Sequence, residues 1–364
     1  MTKAAELAKW GEVSTNGQVS GRRNIVINGA MQVAQRSTSV TGIGASGGYF
    51  TTDRWAISVG ATSAGRLTSA QVGDGPDGIA NCTKLTCTTA DTSIAAGELL
   101  QFQTKLEGQD LQQMNKGIAS AKKVTVSFYV KGNAAATYSV EMHDRDNTRF
   151  NSQEFSVTTD WVRIVKTFAA DADDGSSPYG DDNAVSMSLN FNLHGGATYT
   201  GGSHTDNVWH EVVNQRLGDN ATSFFDSTDR TFFITGVQME VGSVATPFEH
   251  RSYGEELALC QRYFSHSGDV RNYAFVHSGY SSTEAYGNFS FSVPMRTAPA
   301  VTMKSSGRNL YSNGGARTVT SFNATNIGTY NFAHKVVGSG WTSGHACHVD
   351  VDAGTRFYEA DAEL

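Results

Sequence analysis

The stretch Val185-Ser-Met-Ser-Leu-Asn-Phe-Asn-Leu193 alternates apolar and small polar residues at every position. Because successive side chains of a β-strand point to opposite faces, this alternation gives the strand one apolar face and one polar, water-facing side. Residues 124–130, 237–241 and 289–293 repeat the same period. The pattern predicts an all-β protein built from sandwich-like sheets.

The length of 364 residues exceeds one small sandwich and allows two, each with its own core. We therefore expect two jelly-roll-like β-sandwich domains. The first covers residues 22–250, a linker helix covers residues 251–265, and a C-terminal sandwich covers residues 266–364. About seven strand-like runs in the last hundred or so residues match the strand density of a sandwich.

A capping-box spacing marks the linker helix. Ser252 and Glu255 have that spacing, and Leu257, Cys260 and Phe264 follow at helical intervals.

A second short helix is expected in the N-terminal segment, residues 1–21. Ala4, Leu7 and Ala8 fall on one side of it, and Trp10 ends its apolar part just before a glycine. So short a helix is marginal in isolation and needs a partner. The segment is either a docking element or a frayed terminus.

The charge and hydropathy patterns exclude two classes of partner. The formal net charge is −7 and no basic run occurs, which argues against nucleic-acid binding. No apolar run has the length of a membrane span, and a glutamate interrupts the N-terminal region where a signal peptide would be apolar. We expect a protein made in the cytoplasm, without membrane insertion.

The four cysteines contain no CxxC pair, and two of them, Cys82 and Cys87, lie close in sequence. If these two share a strand, their odd spacing places them on opposite faces, which disfavours a disulfide between them. The sequence predicts free, buried thiols.

Acidic residues are concentrated between positions 171 and 182. Hard cations prefer oxygen ligands, so calcium is the one candidate cofactor of this chain, although the spacing does not match an EF-hand loop. A solvated acidic turn is the favoured alternative. The candidate ligands are Asp171, Asp173, Asp174, Asp181 and Asp182.

Enzymatic motifs are weak. Residues 44–48 (GASGG) match the G-x-S-x-G pattern, but glycines flank the serine on both sides where a nucleophile elbow needs a strand and a helix. A glycan depolymerase needs two opposed carboxylates, and the repeats of a parallel β-helix are absent from the sequence. We expect a protein that is not an enzyme.

Three phrases resemble bacteriophage tail-fibre and receptor-binding proteins: RRNIVINGAM at residues 22–31, YFTTDRW at residues 49–55 and GVQMEVGSVATPFEHRSYGEELALCQRY at residues 236–263. The segment from residue 160 to residue 196 also resembles the carbohydrate-module-like sandwich of that family. The opening MTKAAELA resembles fibre proteins of marine podophages, in which the N-terminus attaches to the virion.

The resemblance implies a homotrimeric tail fibre located on the virion and assembled in the host cytoplasm. Its N-terminus would contact a phage tail or adaptor protein, and its C-terminal domain would bind a host-surface glycan or outer-membrane component. No long shaft is present, so a capsid decoration or head-fibre protein is the alternative, and a depolymerase is a third.

Candidate receptor-binding residues are aromatic side chains among amide and hydroxyl groups in the C-terminal domain. An aromatic ring stacks on the apolar side of a pyranose while polar neighbours bind its hydroxyls. Some of these residues must instead belong to the core. The candidates are Tyr280, Tyr286, Asn309, Tyr311, Tyr330 and Trp341.

Overall fold

The computed structural model describes residues 3, 22–61, 63–172, 177–218, 221–268, 275–304, 308–312, 315–351 and 356–364. At residues 275, 308, 309, 350 and 351 it describes the main chain alone. Ala4, Leu7, Ala8 and Trp10 lie outside the described residues, and so does the predicted N-terminal helix. The chain divides into two compact units, residues 1–256 with Leu364 and residues 257–363. The fold is mostly β, as the sequence predicts.

The first unit contains two six-stranded sheets, ordered β1-β4-β5-β12-β7-β10 and β2-β3-β6-β11-β8-β9. The strands are β1 Ser39–Ile43, β2 Gly48–Tyr49, β3 Ala56–Gly60, β4 Arg66–Val72, β5 Cys82–Thr89, β6 Leu99–Glu107, β7 Val124–Gly132, β8 Ala136–Asp144, β9 Arg149–Val157, β10 Val162–Phe168, β11 Val185–Gly195 and β12 Thr231–Val241.

The two sheets share one hydrophobic core, so this unit is a β-sandwich. Strand β11 contributes its apolar set, from Met187 to Leu193, to that core. Trp55 stacks on Phe102 with ring centroids 4.9 Å apart, and Phe128 meets Phe191 edge to face at 4.9 Å. Offset and edge-to-face aromatic pairs add to the stabilisation from burial.

The Asn28-Gly29 turn is held by a close backbone approach. Asn28 has a φ of 57°, and its side-chain amide donates to the carbonyl oxygens of Val33 and Asp53. A Cβ at Gly29 would lie 2.0 Å from the carbonyl oxygen of Val237. Only glycine fits this position, because any side chain would displace the neighbouring strand β12.

Two α-helices occur in the described residues, α1 Ala197–Thr200 and α2 Tyr253–Gln261. Ser252 caps α2, since its Oγ accepts from the backbone N–H of Glu255 at 3.3 Å. The predicted linker helix is therefore shorter than residues 251–265. Phe264 belongs to a strand instead, where it is buried. In the described part of the chain, no helix is long and apolar enough to cross a membrane.

The second unit differs from the predicted sandwich. Six strands close into a barrel in the order β14-β15-β19-β18-β17-β20, and three others form a sheet ordered β13-β21-β16. The strands are β13 Phe264–His266, β14 Phe275–Gly279, β15 Glu284–Ser290, β16 Ala300–Met303, β17 Arg308–Ser312, β18 Gly315–Thr325, β19 Asn331–Ser339, β20 Ala346–Val351 and β21 Tyr358–Asp361.

Strand β20 closes the barrel. β20 pairs with β14 on one side and with β17 on the other, which removes both free edges of the sheet. The number of strands in this part of the sequence predicted a sandwich. That number does not show which strands pair with each other, so it could not distinguish a sandwich from a closed barrel.

All four cysteines are free and buried, as predicted, and Cys82 and Cys87 both lie in β5. Burial raises the pKa of Cys82 to about 11, and it also raises the pKa values of Cys87 and Cys347. Because the thiolate is the reactive form, we expect none of these thiols to react with a disulfide reagent at pH 8 in the native protein. A thiol that reacts rapidly before urea is added would contradict this prediction.

Candidate functional site

Aromatic residues gather on the outer surface of the C-terminal barrel, across strands β15, β14, β20 and β17. The strand register places Tyr311 beside His348, and His348 beside Val276. Tyr286 pairs with Ser278, two residues along β14 from Val276, and Tyr280 follows the same strand. We call Val276, Tyr280, Tyr286, Tyr311 and His348 the tyrosine face. Alternation along β14 explains it, because His277 and Gly279 are buried while Val276, Ser278 and Tyr280 are exposed.

The tyrosine face is open to solvent at its centre. Val276 is 75% exposed and Tyr280 is 71% exposed. The rings of Tyr280 and Tyr286 lie edge to face with centroids 5.6 Å apart, while Tyr311 stacks on His348 at 5.3 Å. Large apolar groups are rarely left this exposed in clusters unless they contact another molecule.

An ion pair borders the tyrosine face. Lys335 Nζ lies 2.6 Å from a Glu284 carboxylate oxygen, and the Tyr286 hydroxyl donates to the other oxygen at 3.1 Å. The hydrogen bond from Lys335 holds the pKa of Glu284 below its ordinary value, and the bond to Glu284 raises the pKa of Lys335. Both groups are therefore charged and mutually neutralised at pH 7.

The other predicted receptor residues lie elsewhere. Tyr330 is 67% exposed but precedes β19 at the opposite end of the β15–β19 pair from Tyr280. Trp341 is 4% exposed and belongs to the core, where its ring packs against Gly338. It cannot be a binding platform, because its ring faces protein. The side chain of Asn309 lies outside the described residues, and its backbone pairs with Asp350. The sequence analysis missed Val276 and His348, although the alternation of β14 indicates the exposure of Val276.

The outer face of the sandwich sheet β2-β3-β6-β11-β8-β9 is also polar, but it is covered. Ser188, Asn190 and Asn192 on β11 are buried, which differs from the water-facing side that the sequence predicts. A strap, residues 197–217, crosses this face: Arg216 in the strap donates two hydrogen bonds to Glu141 on β8, at 2.7 and 2.8 Å. The strap therefore takes the place of water beside Glu141 on this face.

The strap is anchored by charge and by aromatic stacking. The guanidinium of Arg216 lies 4.4 Å from the ring centroid of Phe150 and 5.6 Å from that of Tyr199. Burial alone would raise the pKa of Glu141, but the charge and hydrogen bonds of Arg216 outweigh it and hold that pKa below its ordinary value. Glu141 also accepts from the side-chain amide of Asn190 at 2.8 Å. This face is organised as an internal polar layer.

The predicted calcium residues are dispersed or paired. Asp171 binds Arg149 through two hydrogen bonds of 3.1 and 3.2 Å. Lys116 Nζ lies 2.8 Å from Asp144 Oδ2 and 3.9 Å from Asp171 Oδ2. Asp173 and Asp174 lie outside the described residues. The remaining two, Asp181 and Asp182, are exposed.

In the ranges that the structure describes, no three His, Cys, Asp or Glu side chains are placed to hold a metal. Calcium binding stays a prediction.

Comparisons with known proteins give likenesses of limited extent. No family model matches the chain, and no curated protein matches it. A family 11 carbohydrate-binding module from Clostridium thermocellum, in complex with a β-1,3-1,4-mixed-linked tetrasaccharide, is 12% identical with a TM-score of 0.28, over 53% of this chain and 91% of that one. A putative sugar binding protein from Bacteroides thetaiotaomicron is 13% identical with a TM-score of 0.31, over 60% and 100%.

A solved phage protein is similar at the same level. The enzymatically active domain of tailspike protein 4 from bacteriophage CBA120 is 12% identical with a TM-score of 0.29, over 60% of this chain and 21% of that chain. Likenesses of this size do not assign the chain to any of these families. Membership of the phage tail-fibre family stays a prediction from the sequence phrases.

Proposed function

We propose that this protein is a phage attachment protein, a homotrimeric tail fibre that binds a host-surface glycan through the tyrosine face of its C-terminal barrel. The observation that carries the proposal is the cluster of Tyr280, Tyr286 and Val276 on one barrel face, in which Val276 and Tyr280 are exposed and Tyr286 is half-buried. The phage tail-fibre part of the proposal is supported by the resemblance of residues 22–31, 49–55 and 236–263 to phage fibre proteins.

The chemistry of the tyrosine face suits a saccharide. Tyrosine offers a flat apolar ring for the carbon-bound face of a pyranose and a hydroxyl for its polar edge. Ser278 lies on β14 between Val276 and Tyr280 and is exposed, so a hydroxyl group accompanies the rings. No deep pocket is needed, because three linked copies make later contacts effectively intramolecular and raise avidity.

The charge distribution favours approach of the barrel to a cell envelope. Residues 266–364 contain seven Lys and Arg against seven Asp and Glu, so the formal charge of −7 comes from residues 1–265. A neutral domain meets less electrostatic repulsion from an anionic surface than an acidic one does. This charge distribution supports the proposed position of the binding surface, which lies on the part of the chain with no net charge.

We expect Tyr280→Ala/Tyr286→Ala to weaken binding of the full-length protein to an array of bacterial surface polysaccharides at least tenfold. The reason is the loss of about 1.4–3 kcal/mol of binding free energy from aromatic contacts, where 1.4 kcal/mol is a factor of ten. Tyr330→Ala removes an equally exposed tyrosine outside the face and serves as the matched control. Equal binding by both variants and the wild type would overturn the assignment of the tyrosine face.

Separate measurements test the virion role. Immunogold labelling of intact particles with antibody to the C-terminal barrel should mark the tail, whereas label over the head would favour the decoration or head-fibre alternative. The mass of the native protein in solution should be three times that of the chain. Release of reducing ends from a bound polysaccharide would instead support a depolymerase.

A further inference from the structure

A row of alternating cationic and aromatic side chains crosses the sandwich sheet that contains β5, β12 and β7. The register places Phe233 beside Lys84 on one side and beside Lys131 on the other. Lys84 Nζ lies 5.3 Å from the Phe233 ring centroid, and Lys131 Nζ lies 4.9 Å from it. Trp161 continues the row, because Lys131 Nζ is 5.1 Å from its ring. We call these four residues the lysine row.

The lysine row faces outward and is only partly buried. Lys84, Phe233 and Trp161 each retain intermediate exposure, so their outer surfaces are accessible. Phe233 and Trp161 meet edge to face with ring centroids 6.3 Å apart. Two ammonium groups are thus held beside one aromatic platform, where cation–π attraction orients them.

The charges of the row are only partly compensated. Lys131 binds the carboxylate of Asp74 at 2.9 and 3.0 Å, and that carboxylate is half exposed. Within the described ranges, no carboxylate forms an ion pair with Lys84. The chain carries a formal charge of −7, so a positive row that is only partly compensated is a local exception to its overall charge.

We propose that the lysine row binds the anionic group of an acidic sugar, with the pyranose ring lying against Phe233 and Trp161. Ammonium groups bind carboxylate and phosphate through charge-assisted hydrogen bonds. The aromatic faces contact the apolar side of the sugar. Charge complementarity selects an anionic saccharide over a neutral one. This site lies in the sandwich and is separate from the tyrosine face.

The anion competes with Asp74 for Lys131. Replacing Asp74 by Asn removes the competing carboxylate while preserving side-chain size, so Asp74→Asn should tighten binding. Removing the ammonium groups, as in Lys84→Gln/Lys131→Gln, should weaken it. Opposite effects from two charge changes at one site are not expected from a general loss of folding.

The test uses the full-length protein and calorimetric titration with three probes: oligogalacturonate for a carboxylate, glucose 6-phosphate for a phosphate, and cellohexaose for a neutral glycan. We expect one of the anionic probes to bind the wild-type protein. Compared with the wild type, Lys84→Gln/Lys131→Gln should bind that probe at least tenfold more weakly. Asp74→Asn should bind it several-fold more tightly. Binding should also weaken as salt rises from 50 to 500 mM. Preference between the two anionic probes identifies the acidic group.

The matched control is Lys123→Gln, which removes one exposed positive charge next to the opposite end of β7 from Lys131. It should leave anionic binding unchanged. The inference is overturned if neither anionic probe binds, if cellohexaose binds equally well, or if Lys123→Gln weakens binding as much as the double variant. Tyr280→Ala/Tyr286→Ala should retain binding of the anionic probe, which separates this test from that of the proposed function.

Discussion

Arg216→Ala is expected to destabilise the sandwich by about 3–5 kcal/mol, because it leaves the buried carboxylate of Glu141 without its counter-charge. Arg216 supplies both charge-assisted hydrogen bonds from the strap to Glu141. It also packs on Phe150 and Tyr199, so the substitution removes an anchor of residues 197–217 as well as a charge. Urea unfolding followed by tryptophan fluorescence measures the effect. Trp341 is the only tryptophan in residues 257–364, so the rest of the tryptophan signal comes from the unit that contains the sandwich.

Two controls separate the buried charge from a general loss of packing. Glu141→Gln/Arg216→Met removes both charges and should recover part of the lost stability, because no ion then remains buried. Arg22→Ala breaks an exposed pair with Glu255, whose side chains are 47% and 45% exposed, and should cost less than about 1 kcal/mol. An Arg216→Ala variant as stable as Arg22→Ala would show that the strap pair contributes nothing.

Acidification from pH 7 to pH 5 is expected to destabilise the sandwich through three histidines whose pKa values are lowered by burial or partial burial. Burial lowers the pKa of His143 to about 4, and burial also lowers the pKa values of His194 and His210. An unfolded histidine titrates near pH 6.5, so below that pH the unfolded chain binds protons that the folded chain does not. The contribution of these histidines to the free energy of unfolding is therefore fully present above pH 6.5. It is lost as the pH falls from 6.5 toward their pKa values in the folded protein.

The expected size of the acid effect is about 1–2 kcal/mol at pH 5 from His143, which is partly exposed, with further loss from the other two. Urea midpoints at pH 7.5, 6.5, 5.5 and 5.0 measure it by tryptophan fluorescence. His143→Gln should reduce the dependence on pH, because glutamine has no proton to gain. A free energy of unfolding that stays constant over this interval would show that these histidines do not have lowered pKa values in the folded protein.

Local patterns in the sequence were sufficient for several features. The alternation in β11 predicts both the strand and its apolar set in the core. The odd spacing of Cys82 and Cys87 within β5 predicts free thiols, and Ser252 marks the start of α2. Each of these depends on backbone periodicity or on hydrogen bonds within a few residues, which are properties of a short segment.

Long-range contacts decided what covers each surface. The polar side of β11 is buried because Arg216, some 26 residues beyond Asn190, reaches back to Glu141. Alternation distinguishes two faces but does not identify their neighbours. The aromatic candidates divide for the same reason: Tyr280 is exposed and Trp341 is buried, although both occur among glycine, serine and threonine.

The sequence by itself determined the β class, the positions of several strands such as β7, β11 and β12, and the state of the thiols, because these follow from the period of the chain and the spacing of its residues. The tertiary structure alone decided that the C-terminal strands close into a barrel, that the strap covers the polar sheet face, and that Tyr280, Tyr286 and Tyr311 share one surface. Those features arise from pairing between strands distant in sequence, whose register depends on the packing of the whole unit.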